Sequence, residues 1–265
     1  PAFPEGGERR FEGCGRYDDG NTSWKLGPLS QRTAPAVKGE WLRLCLDAGD
    51  TVANLYVGDD AQPVFTMYDL PCASGGIRLW RYYASAFFRN LRVTASRDVE
   101  PILDDTWGSV AGPGVIRDWS MSRMLPQGFG SDDPVAAART EDMGWRDVAG
   151  DRRGVVNVVA VDPGEYCRKG VVFARATVGS TAEAARQFTL TYTDQLSMWL
   201  NGTSVFVGER RGWYDPGRSD ADGWGRLLPD QFGVKLPLVS GKNEVLVRLE
   251  VNEALFGSGF WVRAI

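Results

Sequence analysis

The side chains best suited to binding chemistry are concentrated in residues 212–224. Sugar recognition needs flat aromatic faces for the apolar side of a pyranose, and carboxylate or guanidinium groups for its hydroxyls. This segment offers both kinds, and it exceeds the length of an ordinary hairpin loop, as functional loops often do. The alternative is that its aromatic rings fold onto the end of the domain as a small satellite core. The predicted ligand-binding residues of this loop are Trp213, Tyr214, Asp215, Arg218 and Trp224.

The same segment contains an Asp-x-Asp-Gly pattern at Asp220 and Asp222 that could supply oxygen ligands to calcium. Calcium takes six to eight oxygens, and this pattern falls far short of a full EF-hand loop. Calcium is thus the one cofactor we consider, and no motif requires any cofactor. Neighbouring carboxylates at 59–60, 104–105 and 132–133 are similar candidates. In turns, such pairs are more often solvated or cap backbone N–H groups.

A second candidate surface lies on a strand expected at residues 77–83. Side chains alternate across a strand, so Trp80 and Tyr82 share one face while Arg81 and Tyr83 share the other. A concave sheet face with Trp, Tyr and Arg would suit a glycan. Packing of one face into a core is the alternative.

Several kinds of catalysis are excluded or unsupported. The chain has no histidine, which excludes a Ser-His-Asp triad, a Cys-His pair and a histidine-ligated zinc site. A glycosidase needs two carboxyl groups at a set separation. The paired-glutamate motif of jelly-roll glucanases is absent, and Glu250 with Glu253 comes closest to it. A lyase with a Tyr or Lys base is conceivable, but no constellation points to one.

Charge and hydropathy restrict the classes of binding partner that we expect for this protein. The net charge of -4 disfavours a nucleic-acid binder, which normally carries a basic surface. No apolar run approaches the roughly 20 residues that a membrane-spanning helix needs. Because the sequence begins with Pro1, we expect a processed or partial chain from which any signal peptide has been removed.

The four cysteines leave two alternatives open. None belongs to a C-x-x-C pair, and four cysteines allow three disulfide pairings between which the sequence does not choose. If all four pair, one disulfide joins the two halves of the chain. The alternative is buried free thiols. The cysteines are Cys14, Cys45, Cys72 and Cys167.

The chain as a whole predicts an all-β fold of two β-sandwich domains in tandem, over residues 1–97 and 98–265. Short alternating segments separated by turn residues are typical of sandwiches. In the first half, strands are expected at 41–46, 51–57, 64–68, 77–83 and 86–94, with Leu42, Leu44 and Leu46 on one face. Residues 97–150 are rich in turn formers and predict an irregular entry to the second domain, with a short helix at 134–142 behind a first-turn proline.

In the second half the strand pattern returns, interrupted by an exposed segment at 209–231. Asn201-Gly202 predicts a tight hairpin turn, and residues 241–243 predict another. Residues 155–161 are nearly all apolar, as in a strand buried on both faces. The predicted strands are 155–161, 170–178, 187–193, 196–200, 204–207, 234–238, 245–251 and 260–264.

Two resemblances accompany these patterns. The segments 39–44, 50–57, 75–80 and 87–93, the last reading FFRNLRV, look like the C-terminal part of a concanavalin A-like, laminin-G-type jelly roll of the keto-disaccharide hydrolase kind. This resemblance implies that N-terminal strands of the first domain are missing or supplied elsewhere. Segments 172–177, 192–202 and 236–245, with their Leu-Asn-Gly hairpin and Gly-x-Asn-Glu turn, resemble galactose-binding-domain-like sandwiches.

Together these features predict a secreted or cell-surface, lectin-like protein that binds a glycan or an extracellular matrix component. The alternative from another class is a glycoside-processing enzyme, hydrolase-like or lyase-like, with an accessory sandwich. A third alternative is a structural subunit that self-assembles through its sheet edges.

Overall fold

The structure is a computed structural model that divides into two compact units, one of Pro1–Gly13 with Ser30–Leu103 and one of Cys14–Leu29 with Asp104–Ile265. The predicted boundary at residue 97 stays a prediction. The structure describes residues 8–10, 17–18, 21–22, 33–35, 40–68, 77, 79, 86–95, 99, 112–158, 169–210, 227, 230–252 and 257–265.

The strands are numbered in chain order. Those of the smaller unit are β1 Glu8–Arg10, β4 Thr33–Pro35, β5 Leu44–Ala48, β6 Val52–Val57 and β7 Phe65–Tyr68. Those of the larger unit are β2 Tyr17–Asp18, β3 Asn21–Thr22, β8 Asp118–Met121, β9 Arg146–Ala149, β10 Val156–Asn157, β11 Gly170–Ser180, β12 Ala184–Tyr192, β13 Gln195–Leu200, β14 Thr203–Glu209, β15 Phe232–Leu238, β16 Gly241–Val251 and β17 Gly259–Ala264.

The larger unit contains two extended antiparallel sheets. One has six strands in the order β14-β13-β16-β11-β8-β9, and the other has four in the order β10-β17-β12-β15. Most of these strands were expected from the alternating pattern of apolar and polar residues.

The two sheets pack face to face as a β-sandwich, because each turns an apolar face toward the other. On β11, Val172 and Ala174 point into this core, and Phe188 and Leu190 do so from β12 of the opposite sheet. Trp119 of β8 meets Phe260 of β17 edge to face, with ring centroids 5.0 Å apart. The all-β class predicted from the sequence is confirmed.

Asn201 and Asn243 join the two turns that were predicted from the sequence by a side-chain hydrogen bond. Asn201 adopts a left-handed φ of 49°, as the tight turn requires. Its Nδ2 donates to Oδ1 of Asn243 at 3.0 Å, and its Oδ1 accepts from the Glu244 backbone at 2.9 Å. Asn243 is fully buried and its Nδ2 also donates to the Val239 carbonyl at 2.9 Å. The asparagine pair therefore fixes the start of β16 relative to the end of β13.

A short cover packs on the outer face of the six-stranded sheet. It contains α1 (Pro134–Ala137), whose first turn is capped by Asp133 Oδ1 accepting from the Ala136 amide at 3.0 Å, and a 3-10 helix at Glu141–Met143. The predicted helix over 134–142 is thus two pieces, because Thr140 between them has an extended backbone. The sheet face that the cover buries is apolar.

Residues 97–150 contain more regular structure than the sequence suggested. β8 and β9 both fall in this stretch and pair with each other and, through β8, with β11. Only four residues each, they were too short for their alternation to stand out among turn formers. Residues 101–111 lie outside the described part of the chain.

The smaller unit contains a three-stranded antiparallel sheet in the order β5-β6-β7. Its register places Leu44 beside Val57 and Leu46 beside Leu55, so the predicted apolar face exists. Leu44 and Leu46 are nevertheless about half exposed, at 54% and 55%. Whether this unit is a sandwich stays a prediction.

The strand predicted at 86–94 is not formed. Residues 86–95 have no strand pairing, and Asn90 has a left-handed φ of 56°, which interrupts an extended segment. Their apolar side chains are exposed, and Arg89 stacks on Trp41 at 3.8 Å. Of the strand predicted at 77–83, only residues 77 and 79 are described, and neither is in a strand.

Cys45 is a free, exposed thiol on β5. A disulfide framework that uses all four cysteines is therefore not supported; Cys14, Cys72 and Cys167 lie outside the described residues. Among the helices of the described residues, none has the length and apolarity to span a membrane.

Candidate functional site

A groove of about 840 Å³ crosses the outer face of the six-stranded sheet, next to the cover. The strands β8, β9, β11 and β16 form its floor, and the side chains that point outward from them are mostly polar and solvent-accessible. These are Asp118, Ser120, Asp147, Ala149, Arg175, Thr177 and Glu244.

The strand register sets the positions of these groups. Ser120 of β8 lies opposite Asp147 of β9 on one side and opposite Arg175 of β11 on the other. Thr177 of β11 lies opposite Glu244 of β16. Because opposite residues of an antiparallel pair have Cβ atoms about 4.5–5.5 Å apart, the groove floor is a compact grid of donors and acceptors on a rigid sheet.

Arg175 is held by an aromatic ring at the edge of the cover. Its guanidinium carbon lies 4.3 Å from the centroid of Trp145, a stacking distance for a cation over an indole. Among the described residues no hydrogen bond or ion pair joins Arg175 to a carboxylate. Its five N–H donors are therefore oriented by the ring while remaining available at the groove.

The three groove carboxylates are also available. In the described part of the chain, the side chains of Asp118, Asp147 and Glu244 form no hydrogen bond or ion pair. A carboxylate accepts hydrogen bonds on both oxygens, and the hydroxyls of Ser120 and Thr177 both donate and accept. The groove can thus bind a ligand with several closely spaced hydroxyl or amino groups.

The predicted binding loop lies outside the described residues. This applies to Trp213, Tyr214, Asp215, Arg218 and Trp224, and equally to the calcium candidates Asp220 and Asp222. The candidate sheet-face residues Trp80 and Tyr82 are outside them too. These site residues stay predictions.

The two ends of this segment are described, and they contact each other. Arg210, only 6% exposed, donates from Nη1 to the Tyr192 carbonyl at 3.0 Å and to Oε1 of Gln231 at 2.9 Å. Thr191 donates to the same Gln231 oxygen at 2.8 Å. The expectation of an exposed segment from 209 is therefore wrong at Arg210, because its charge is buried and hydrogen-bonded against β12.

Tyr192 has the clearest titration shift in this region. Burial of its phenol raises its pKa above the ordinary value, and the positive charge of Arg210 opposes that rise in part. The ring packs between Phe206 and Phe232, at centroid distances of 5.6 and 5.1 Å. Tyr192 belongs to the sandwich core and not to the groove.

Four of the other acidic candidates form contacts within the protein. Asp59 forms an ion pair with Arg43 at 2.7 Å, Asp60 accepts from the Gln62 amide at 3.0 Å, and Asp133 caps α1. Glu250 pairs with Arg248 at 3.1 Å, while Glu253 is outside the described residues. No group of three potential metal ligands occurs within the ranges that the structure describes.

Sequence reasoning missed the groove because its residues come from four separated strands. Asp118 and Asp147 fall in the stretch that was expected to be irregular, and Arg175 and Thr177 were predicted only as parts of a strand. The available signal was the pattern of β11, where apolar outward positions at Val171 and Phe173 give way to polar ones.

Neither family models nor curated proteins match this chain. Solved structures with partial overlap include the beta-glucosidase from Kluyveromyces marxianus in complex with glucose, at 15% identity and TM-score 0.36, covering 56% of this chain and 16% of that one. The Ruminococcus gnavus beta-glucuronidase overlaps at 11% identity and TM-score 0.37, covering 57% and 28%. A putative beta-galactosidase from Bacteroides fragilis overlaps at 16% identity and TM-score 0.35, covering 56% and 23%. The chain thus spans less than a third of each, and its fold assignment rests on its own strand pairing.

Proposed function

We propose that this protein is a carbohydrate-binding protein, exported to the cell surface or beyond, that holds its ligand in the groove of the six-stranded sheet. The observation that carries the proposal is the set of polar side chains in that groove that have no partner in the described part of the chain. A surface with unpaired carboxylates, an oriented guanidinium and two hydroxyls matches the alternating donors and acceptors of a sugar ring.

The position of these groups supports recognition. They stand on β-strands of a sandwich with a continuous apolar core, so the backbone that carries them needs no further ordering when a ligand binds. Arg175 is further restrained by its stack on Trp145. Preorganised donors and acceptors give selectivity because a ligand that leaves them unpaired incurs the cost of their desolvation.

Aromatic contact with a sugar is proposed for the segment 212–224, apart from the groove. The strand β14 that leads into this segment ends at Glu209 opposite Gln195, and Gln195 pairs with Glu250, at the other end of β16 from Glu244. At the groove itself, the guanidinium of Arg175 already stacks on the ring of Trp145. Trp213 and Trp224 are the predicted sources of a second contact, through a segment whose ends Arg210 and Gln231 hold together.

A glycan-array screen tests the proposal. We compare the wild-type chain with Arg175→Ala/Thr177→Val in the groove and with Trp213→Ala/Trp224→Ala in the loop. Thr203→Val, at an exposed strand position on β14, is the matched control. We expect wild type and control to bind the same glycans and the groove variant to lose them. Absence of any glycan binding by wild type, or full binding by the groove variant, contradicts the proposal.

A further inference from the structure

We infer that the groove selects glycans by charge, taking those with free amino groups over N-acetylated or acidic ones, with Asp118, Asp147 and Glu244 as the specificity-determining residues. This inference rests on the proposed function and names the ligand class of the same site. Three carboxylates and one guanidinium give the outward groove positions an excess of negative charge.

The groove carboxylates differ from four acidic residues of the same unit that form ion pairs with arginines. The described pairs are Asp142 with Arg123 at 2.6 Å, Asp151 with Arg153 at 2.7 Å, Asp230 with Arg263 at 2.6 Å and Glu250 with Arg248 at 3.1 Å. In the groove no such pair is formed among the described residues.

Arg175 is the one cation among the described groove residues, and it contacts an aromatic ring and not a groove carboxylate. Arg175 is diagonal to both Asp118 and Glu244 in the strand register, within reach of either. Its guanidinium instead lies over Trp145 at 4.3 Å, so that the indole and not a carboxylate holds it. Arg175 therefore forms no ion pair with the groove carboxylates, which are available to a ligand.

The register also brings like charges together. Asp118 lies opposite Ala149, and Asp147 is two residues before that position on β9, so the two aspartates are diagonal neighbours. Diagonal positions are about 7–8 Å apart, a distance at which two carboxylates repel and an ammonium group between them relieves the repulsion. Ser120 stands opposite Asp147 and supplies a neutral hydrogen-bonding partner there.

These features point to a ligand with both hydroxyl and ammonium groups. A free hexosamine offers both on one ring, whereas N-acetylation removes the charge and adds bulk. A uronic acid or sulfated sugar would meet the same three carboxylates with the wrong sign. Charge selection of this kind is electrostatic, so it weakens as salt shortens the screening length.

The test is a calorimetric titration with glucosamine oligomers and N-acetylglucosamine oligomers of equal length, at about pH 5.5, where amines are protonated. We expect the glucosamine oligomer to bind at least tenfold more tightly. We also expect the difference to shrink severalfold when salt rises from about 20 to about 200 mM, since the Debye length falls from roughly 20 to roughly 7 Å.

The variants Asp118→Asn, Asp147→Asn and Glu244→Gln should each weaken binding of the glucosamine oligomer severalfold while leaving the melting temperature unchanged. Asp132→Asn and Glu183→Gln, at exposed positions away from the groove, are the matched controls and should bind as wild type does. An unchanged affinity in all three groove variants overturns the inference.

The remaining outcomes separate this inference from the proposed function. Equal binding of both oligomers, or tighter binding of oligogalacturonate, overturns the charge selection but leaves carbohydrate binding intact. An oligolysine of similar charge that binds more tightly than the glucosamine oligomer also overturns it, because the groove would then select cationic peptides. Binding of no glycan at all removes the proposed function itself.

Discussion

The outer face of the six-stranded sheet has two halves that follow one another along the same strands. In the covered half, Val171 and Phe173 of β11 pack with Leu246 and Trp199 beneath α1 and the 3-10 helix. In the open half, Arg175 and Thr177 of the same strand are exposed at the groove. One strand therefore changes from buried apolar to exposed polar within three positions.

The covered half contributes to the stability of the fold, and the open half is the proposed binding surface. Apolar outward side chains on a sandwich need a second layer, and the cover supplies it. Its fit is close: Gly130 has a φ of 66°, and a Cβ there would lie 2.7 Å from the Ala137 Cβ. The polar half needs no such layer, and its unpaired groups face solvent. Substitutions in the covered half should thus lower stability more than binding. Substitutions in the open half should lower binding more than stability.

The largest expected effect is in the covered half. Phe173 is fully buried and meets Phe129 edge to face at 6.3 Å. Phe173→Ala should lower the free energy of unfolding by about 3–5 kcal/mol, because it removes a large core side chain and leaves a cavity. Urea denaturation measures it, with Ala136→Ser on the exposed side of α1 as a neutral control. A loss below about 1 kcal/mol would show that the cover does not depend on this ring.

The next effect concerns the link between β13 and β16 at the groove end. Asn243→Ala removes both the Asn201 contact and the bonds to Val239, and leaves the N–H and the carbonyl of Val239 without this side-chain partner. We expect a loss of about 2–4 kcal/mol in thermal or urea unfolding, from several hydrogen bonds at about 1 kcal/mol each plus desolvation. Because this pair also fixes the Glu244 backbone, glycan affinity should fall as well. A variant with wild-type stability would mean that the pair is replaced by solvent without cost.

A smaller effect, on the pH dependence of stability, is expected in the sandwich core. The raised pKa of Tyr192 means that the folded state resists ionisation of this phenol more than the unfolded state does. The stability this provides is fully present below the unfolded-state value of about 10 and is lost as pH rises through the folded-state value. Tyr192→Phe should flatten the fall in melting temperature above about pH 10 relative to wild type. An unchanged alkaline slope in the variant contradicts this assignment.

The smallest effect on stability is expected in the open half. Thr177→Val keeps the shape and β-propensity of an exposed side chain, so the free energy of unfolding should change by less than about 0.5 kcal/mol. Glycan affinity should nevertheless fall roughly fivefold, as expected for one lost hydrogen bond of about 1 kcal/mol. The comparison between the two halves fails if this variant loses as much stability as Phe173→Ala.

The sequence predicted those parts of the fold whose signal is local. The Asn201-Gly202 hairpin and the long alternating strands of the larger unit follow from turn chemistry and two-residue periodicity. The groove could not be predicted in the same way, because Asp118, Asp147 and Glu244 become neighbours only through non-local strand pairing. The strand expected at 86–94 failed for the converse reason: an apolar segment forms a strand only where a partner backbone completes its hydrogen bonds.

The central claim is that ligand binding belongs to the open half of this face. Backbone amide chemical-shift mapping with a saturating glycan from the array tests it most directly. If the claim holds, the largest shifts fall on β8, β9 and β11 around Ser120, Asp147 and Thr177, with small shifts around Phe173. Shifts confined to the smaller unit or to residues 212–224, with the groove strands unperturbed, would contradict it.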